Sequence, residues 1–222
     1  MNDVRTRIDA ACARARRDPA AVRVIAVSKT VGSQQLSVAV EAGITDLGEN
    51  RVQEAQAKRA ELSGLLWHLV GRLQSNKAQR AVAVFDEIQT IESLALARRV
   101  ARYALEAGRD PYPVYLQVNV DGDPAKSGFA PADLAAGLDD LAAVEGLRLA
   151  GLMTVGRQVE RPEQARQTFA ALRELSERLR ARQTDLGEGL SMGMSDDFEV
   201  AVEEGATVVR IGRALFGERP AG

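Results

Sequence analysis

Along the 222 residues, short apolar runs alternate with longer segments of helical period. The runs predict strands over 22–28 (VRVIAVS), 44–47 (ITDL), 66–70 (LWHLV), 86–90 (DEIQT), 113–120 (PVYLQVNV), 147–154 (LRLAGLMT), 189–192 (GLSM) and 207–211 (TVVRI). Between them, apolar residues spaced for one helical face predict helices near 33–42, 51–63, 74–84, 92–108, 131–143, 162–183 and 196–204. The clearest is 162–183, where Pro162 suits a first turn and Ala165, Phe169, Leu172, Leu175 and Leu179 share a face. The 92–108 helix ends on Gly108, a residue type that closes helices. A further helix leads in before the first strand.

Near-continuous apolar strands separated by helices indicate a parallel sheet covered on both faces. Eight such units in this length fit an α/β fold, one (β/α)8 TIM-type barrel with an extra N-terminal helix. An open doubly wound sheet is the alternative. Against it, SKTVGSQQ after the first strand holds only Gly32, too few glycines for a dinucleotide fingerprint. No linker, low-complexity tract or repeat interrupts the chain, so 1–222 is read as a single domain.

Composition narrows the function. The chain is 45% hydrophobic and 27% charged with net charge −2, which supplies no basic field for nucleic acid or a membrane surface. No apolar run approaches the ~20 residues of a spanning helix. The Arg-rich N-terminus lacks an apolar stretch and is not a secretory signal. One cysteine, Cys12, excludes a disulfide framework and points to the reducing cytoplasm; it is expected to pack on the first helix.

Of 29 cationic side chains only four are lysines: Lys29, Lys58, Lys77 and Lys126. Lys29 ends the apolar run VIAVS with no acidic residue beside it. Arginine stays protonated in proteins, whereas a desolvated lysine becomes a nucleophile. A lysine snorkelling to solvent is the plain alternative. In a barrel, chemistry gathers at the C-terminal strand ends. Those ends carry Lys29, Gly48-Glu49-Asn50, His68 to Gly71, Asn119, Met153-Thr154, SMGMSDD (191–197) and RIGRALFG (210–217). Barrels commonly bind phosphate at the loops after strands 7 and 8. Here those loops offer Ser191, Gly193 and Ser195, then Gly212 and a short RALF helix. The alternative is that Ser195-Asp196 caps the next helix and Gly212 makes a tight turn. A nucleophilic lysine and a phosphate site together suit a ligand with an aldehyde at one end and a phosphate at the other. Pyridoxal 5′-phosphate (PLP) has that shape. His68, without a cysteine partner, is read as structural or hydrogen-bonding. Asp121 and Asp123 are read as turn residues, since the glycine and distant glutamate of a calcium loop are misplaced. No metal site is assigned.

Seven stretches carry a closer resemblance: AVSKT (26–30), LGENRVQEA (47–55), WHLVGRLQSNK (67–77), VNVDGDPAKSGF (118–129), GLMTV (151–155), LSMGMSDDFEVA (190–201) and VRIGRALFG (209–217). In this order, over nearly the whole chain, they resemble the pyridoxal phosphate homeostasis proteins, the YggS/PROSC family. The resemblance implies a barrel like the N-terminal one of alanine racemase, PLP as cofactor and a role in intracellular vitamin B6 homeostasis. It also implies no robust catalytic activity, a cytoplasmic monomer, and PLP-requiring apo-enzymes as candidate partners. By the same match Lys29 holds PLP as an internal aldimine, Asn50 lies near the ring, and Arg210 lies at the pyridine nitrogen. Ser191, the backbone around Met192, Gly212 and the next residue match the phosphate loops. That next residue departs from the pattern: many relatives have Thr or Ser, and this chain has Arg213, whose guanidinium can replace the hydroxyl. A PLP-dependent amino-acid racemase is the alternative. Against it, an arginine at the pyridine nitrogen weakens the electron sink. Tyr103, Tyr112 and Tyr115 also fall away from strand C-terminal ends, so no second base is evident. A Schiff-base aldolase on the same barrel is a weaker third reading.

Overall fold

The computed structural model describes residues 1–157 and 159–217. Its strands are β1 (Arg23–Val27), β2 (Asp46–Glu49), β3 (Leu66–Leu69), β4 (Glu87–Ile91), β5 (Tyr112–Gln117), β6 (Leu147–Met153), β7 (Gly189–Ser191) and β8 (Val208–Ile211). All are parallel and close into a barrel in chain order. Closure is the β1–β8 pairing, with Arg23 opposite Val208 and Ile25 opposite Arg210. The helices are α1 (Asn2–Ala15), α2 (Ser33–Glu41), α3 (Val52–Glu61), α4 (Ala78–Val84), α5 (Leu94–Glu106), α6 (Pro131–Ala142), α7 (Arg166–Arg180), α8 (Phe198–Glu203) and α9 (Arg213–Phe216). This is the expected (β/α)8 barrel with a leading helix.

The boundaries differ from the pattern where pairing overrides it. The second strand runs two residues later than its apolar run, because Gly48 and Glu49 pair with His68 and Leu69. The fifth stops at Gln117, where the chain turns to meet its own Phe129. The 74–84 and 162–183 helices each open with a tight 3-10 turn, Ser75–Lys77 and Pro162–Ala165. The last long-loop helix starts at Phe198 rather than near 196.

The main core lies between strands and helices, where Leu47, Trp67, Phe85, Leu116, Leu152 and Phe169 are almost fully buried. Burying such a side chain contributes about 1.5–3 kcal/mol. The α1 helix packs on α8 and buries Val4, Ile8, Ala11 and Cys12. At its end Arg17 donates to the carbonyls of Gly205 (3.2 Å) and Ala206 (2.9 Å). Inside the barrel lies a small apolar group, Ile25, Tyr115, Met153 and Val208. Elsewhere the interior is polar, unlike the branched aliphatic filling usual for this fold. The β6–β7 contact requires glycine: a Cβ on Gly151, at φ +151°, would lie 1.9 Å from the Gly189 carbonyl oxygen. No described helix is long and apolar enough to cross a membrane.

Candidate functional site

Strand alternation decides what meets at the mouth. Two residues beyond inward-facing Ile25, Gly48 and His68 stand Val27, Asn50 and Val70, and Arg210 and Gly212 follow Val208 in the same way. These side chains, with Lys29 on one side and Ser195, Asp196 and Arg213 on the other, line a cavity of about 320 Å³ at the C-terminal end of the barrel. Small-molecule sites on this fold sit at that end.

Lys29 is half-buried on a four-residue turn, 28–31, closed by Val31 N–H donating to the Ser28 carbonyl at 2.9 Å. Thr30 takes the third position with φ +66°. Glycine or asparagine usually fills such a position, and a β-branched residue there costs about 1–2 kcal/mol. Glu54 offsets the strain by accepting the Thr30 N–H at 2.7 Å. The absence of acidic residues near Lys29 therefore holds in sequence only. The fold brings Glu54 against the turn and buries Glu49 behind it, where Glu49 accepts from the Ser28 hydroxyl (2.7 Å) and the Lys58 ammonium (2.5 Å). Burial pushes the Glu49 carboxyl above its usual range despite those bonds. Burial acts upward on Glu54 too, but the Thr30 N–H and Lys58 outweigh it and hold that carboxyl low. Asn50 follows Glu49, and Gly71 packs on its backbone so closely that a Cβ would lie 2.5 Å from the Asn50 carbonyl oxygen.

Arg210, on β8, is 4% exposed. It donates to the Ser191 hydroxyl and the Thr154 carbonyl, both at 2.7 Å, and to no carboxylate among the described residues. Burial pushes its guanidinium down to about 10, only partly countered by Asp197, so it stays charged at neutral pH. A buried cation facing a cavity without a bonded counterion suits a ligand that brings acceptors.

The loops after β7 and β8 meet differently from expectation. Ser195 does not cap α8; its hydroxyl accepts the N–H groups of Gly212 and Ala214, both at 3.2 Å. Two backbone donors at the start of α9 thus converge on one oxygen. Asp196 pairs with the Arg213 guanidinium at the rim. Ser191 lies in the barrel interior bonded to Arg210 instead, and Met192 lies behind the wall in the main core. Both are fully buried, Met192 N–H is bonded to the Val208 carbonyl at 3.1 Å, and the Ser191 hydroxyl donates to Gln89 at 2.7 Å. Of the predicted residues, Lys29, Asn50, Arg210, Gly212 and Arg213 line the cavity, and Ser191 and Met192 do not.

The pattern also missed an interior network. From Arg210 it runs through Ser191 and Gln89 to Glu87, whose carboxylate accepts from Gln89 at 2.8 Å and meets His68 Nδ1 at 2.9 Å. His68 Nε2 meets Asp46 at 2.8 Å, and Arg23 donates to both Glu87 oxygens at 3.1 Å. His68 is therefore a hydrogen-bonding residue inside the barrel, toward its N-terminal end, and not part of the mouth. A signal existed: His68 and Arg210 each interrupt an apolar strand, and Asp46 and Glu87 open the two strands that pair with the strand of His68. Asp121 behaves as a structural residue, accepting from Thr168 at 2.6 Å. Among the described residues no cluster of His, Cys, Asp and Glu could hold a metal ion.

Comparison with known proteins gives similarities in sequence and in fold. The sequence profile of the alanine racemase N-terminal domain matches residues 2–220. The pyridoxal phosphate homeostasis protein of Pseudomonas aeruginosa is 44% identical over 224 residues, covering 99% of this chain and 94% of that protein. PipY of Synechococcus elongatus, solved without PLP, is 42% identical with a TM-score of 0.86, over 96% of this chain and 99% of PipY. The same protein with PLP bound aligns at 41% identity and a TM-score of 0.84, over 95% of this chain and 100% of PipY. An alanine racemase of Clostridium difficile, 15% identical with a TM-score of 0.75, shares the fold alone: 100% of this chain covers 58% of the racemase.

Proposed function

This chain belongs to the family of pyridoxal phosphate homeostasis proteins, and from that premise we propose that it binds PLP at the barrel mouth and serves intracellular PLP homeostasis. The observation that carries the reading is one cavity bounded by Lys29, by buried Arg210, by Gly212 and by Ser195, whose hydroxyl gathers the N–H groups of Gly212 and Ala214. That donor set fits the group. PLP supplies an aldehyde that condenses with a primary amine, a pyridine ring and a phosphate dianion. Lys29 would supply the amine, and Asn50 and Arg210 would hold the ring. Ser195, Gly212 and Ala214 would hold the phosphate, with Ser191 acting through Arg210 and Met192 supporting the wall. The intended recipients of the stored cofactor are PLP-requiring apo-enzymes.

The same geometry supports holding PLP over racemising amino acids. Racemisation needs an acid/base group on each face of the substrate. Tyr112 is buried with its hydroxyl on the Phe85 carbonyl at 2.6 Å, Tyr115 sits inside the barrel, and Tyr103 lies on α5. Among the described residues no tyrosine lines the cavity, and its one carboxylate, Asp196, is paired with Arg213.

The test is to load the protein with PLP, reduce with borohydride and map peptides by mass. A pyridoxyl group on Lys29 is expected. Its appearance on Lys58, Lys77 or Lys126 instead would refute the assignment.

Arg213 is expected to contribute modestly. Its side chain is 52% exposed and already neutralised by Asp196. Arg213→Ala should weaken PLP by about 0.5–1 kcal/mol, the range of an exposed ionic contact, and leave pyridoxal unchanged. Titration of both ligands into parent and variant checks this. Equal losses for the two ligands would place the effect on the ring and not on phosphate.

A further inference from the structure

The turn that carries Lys29 is gripped on both sides by one helix. On α3, Glu54 and Lys58 stand one turn apart and both point at residues 28–30. Glu54 accepts the N–H of Thr30, the residue after Lys29, at 2.7 Å. Lys58 donates to the carbonyl of Ser28, the residue before it, at 2.6 Å. The Lys58 ammonium also reaches Glu49 at 2.5 Å and Glu54 at 3.2 Å. Its three N–H groups thus meet three oxygens, and its side chain is only 11% exposed. Glu49 in turn accepts from the Ser28 hydroxyl, so the residue before Lys29 is tied through both its backbone and its side chain.

This cluster explains a lysine in a chain that has four among 29 cationic side chains. A tetrahedral ammonium can serve three oxygens that surround one point. A planar guanidinium cannot, because its donors lie in one plane and spread over a wider fork. The Thr30 backbone, at φ +66°, is a conformation that persists only when its surroundings hold it. Glu54 and Lys58 supply that hold.

We propose that Lys58, acting with Glu54 and Glu49, is a positioning group for Lys29: by fixing the backbone before and after that residue it sets how readily the amine captures an aldehyde in the cavity. The proposal rests on Lys29 being the attachment point for PLP. Lys58 touches no ligand and is not itself a capture site.

The test compares PLP with pyridoxine 5′-phosphate, which carries an alcohol in place of the aldehyde and binds without a covalent bond. Both are titrated into the full-length parent, Lys58→Met, Lys58→Arg and Glu54→Ala. Lys58→Met should weaken PLP by about tenfold and slow its capture, with less than about a twofold change for pyridoxine 5′-phosphate. Lys58→Arg should not restore the parent behaviour. Glu54→Ala, on the half-exposed side of the cluster, should give the same selective loss at about three- to fivefold and keeps the test open should Lys58→Met fail to fold. PLP affinity and capture rate equal to the parent in the folded variants, or equal losses for both ligands, would overturn the positioning role. A parent that does not retain PLP on Lys29 overturns the functional reading and this inference with it. Parent retention with unchanged variants overturns this inference alone.

Discussion

A Lys29→Ala chain is expected to fold and to lose its hold on PLP. Lys29 is half-buried on a turn at the barrel mouth, outside both the main core and the interior network, so truncation there should cost less than about 1 kcal/mol of stability. The loss of the amine removes the covalent part of binding and leaves the phosphate cup and Arg210. Affinity for PLP should fall by about 100-fold or more, which is about 2.8 kcal/mol at 1.4 kcal/mol per tenfold. Affinity for pyridoxine 5′-phosphate should stay within about threefold of the parent, because the proposed phosphate contacts, at residues 195, 212 and 214, do not involve Lys29. Lys29→Arg should fail as fully as alanine, since a guanidinium does not deprotonate to attack a carbonyl. Equilibrium dialysis of both ligands, with absorbance of the retained fraction, measures the parent and both variants. PLP retained by Lys29→Ala at parental affinity would remove Lys29 from the site.

The largest effect on stability is expected at His68. Its imidazole lies between Asp46 and Glu87 and is 1% exposed. Burial alone would push the imidazole down, but hydrogen bonds to the two carboxylates raise it above its usual value. Burial raises Glu87 as well, and His68 with Arg23 more than reverses this, holding it at about 2. Each shift fixes a pH window. The raised histidine contributes stability fully below its unfolded value of about 6.5 and loses it as pH climbs through the folded one. The depressed glutamate contributes fully above about 4.5 and loses its share as pH falls toward 2. The pair is therefore most stabilising between about pH 4.5 and 6.5, by on the order of 3 kcal/mol for the Glu87 shift, counted once for both partners.

His68→Ala would leave two buried carboxylates facing one another, and breaking such a pair costs about 3–5 kcal/mol. Urea unfolding at pH 6 measures the loss directly. His68→Gln keeps hydrogen bonding without the charge and separates the two effects. The parent midpoint should decline from pH 6 to pH 9, and that of His68→Gln should decline less. A parental midpoint that is flat across this range would show the imidazole to be neutral in the folded barrel.

Much of this molecule was legible locally. Eight apolar runs and the helical periods between them gave the barrel, because strand and helix formation depend on neighbours a few residues apart. Lys29, Asn50, Arg210 and Gly212 stood out at strand ends, and the tertiary structure does bring them to one mouth. Strand boundaries shifted where the partner strand decided the last pair, as at Gly48 and Glu49. What lay beyond the pattern was the direction of side chains on strands covered on both faces. With apolar neighbours on each side, hydropathy does not alternate, and nothing local says whether His68 or Ser191 points in or out. The resemblance matched Ser191 and the backbone around Met192 to a phosphate loop; closure of the sheet turns the Ser191 hydroxyl to Gln89, 102 residues away, and lets Ser195 meet Gly212 and Ala214. The same holds for Lys58. Sequence marks it as one of four lysines, but only the packing of α3 under the turn sets its ammonium against Ser28, Glu49 and Glu54. Sequence thus determined the elements and the chemical groups at their ends. The tertiary structure decided their partners, because the hydrogen bonds that orient a buried charge join residues that only folding brings into hydrogen-bond distance of each other.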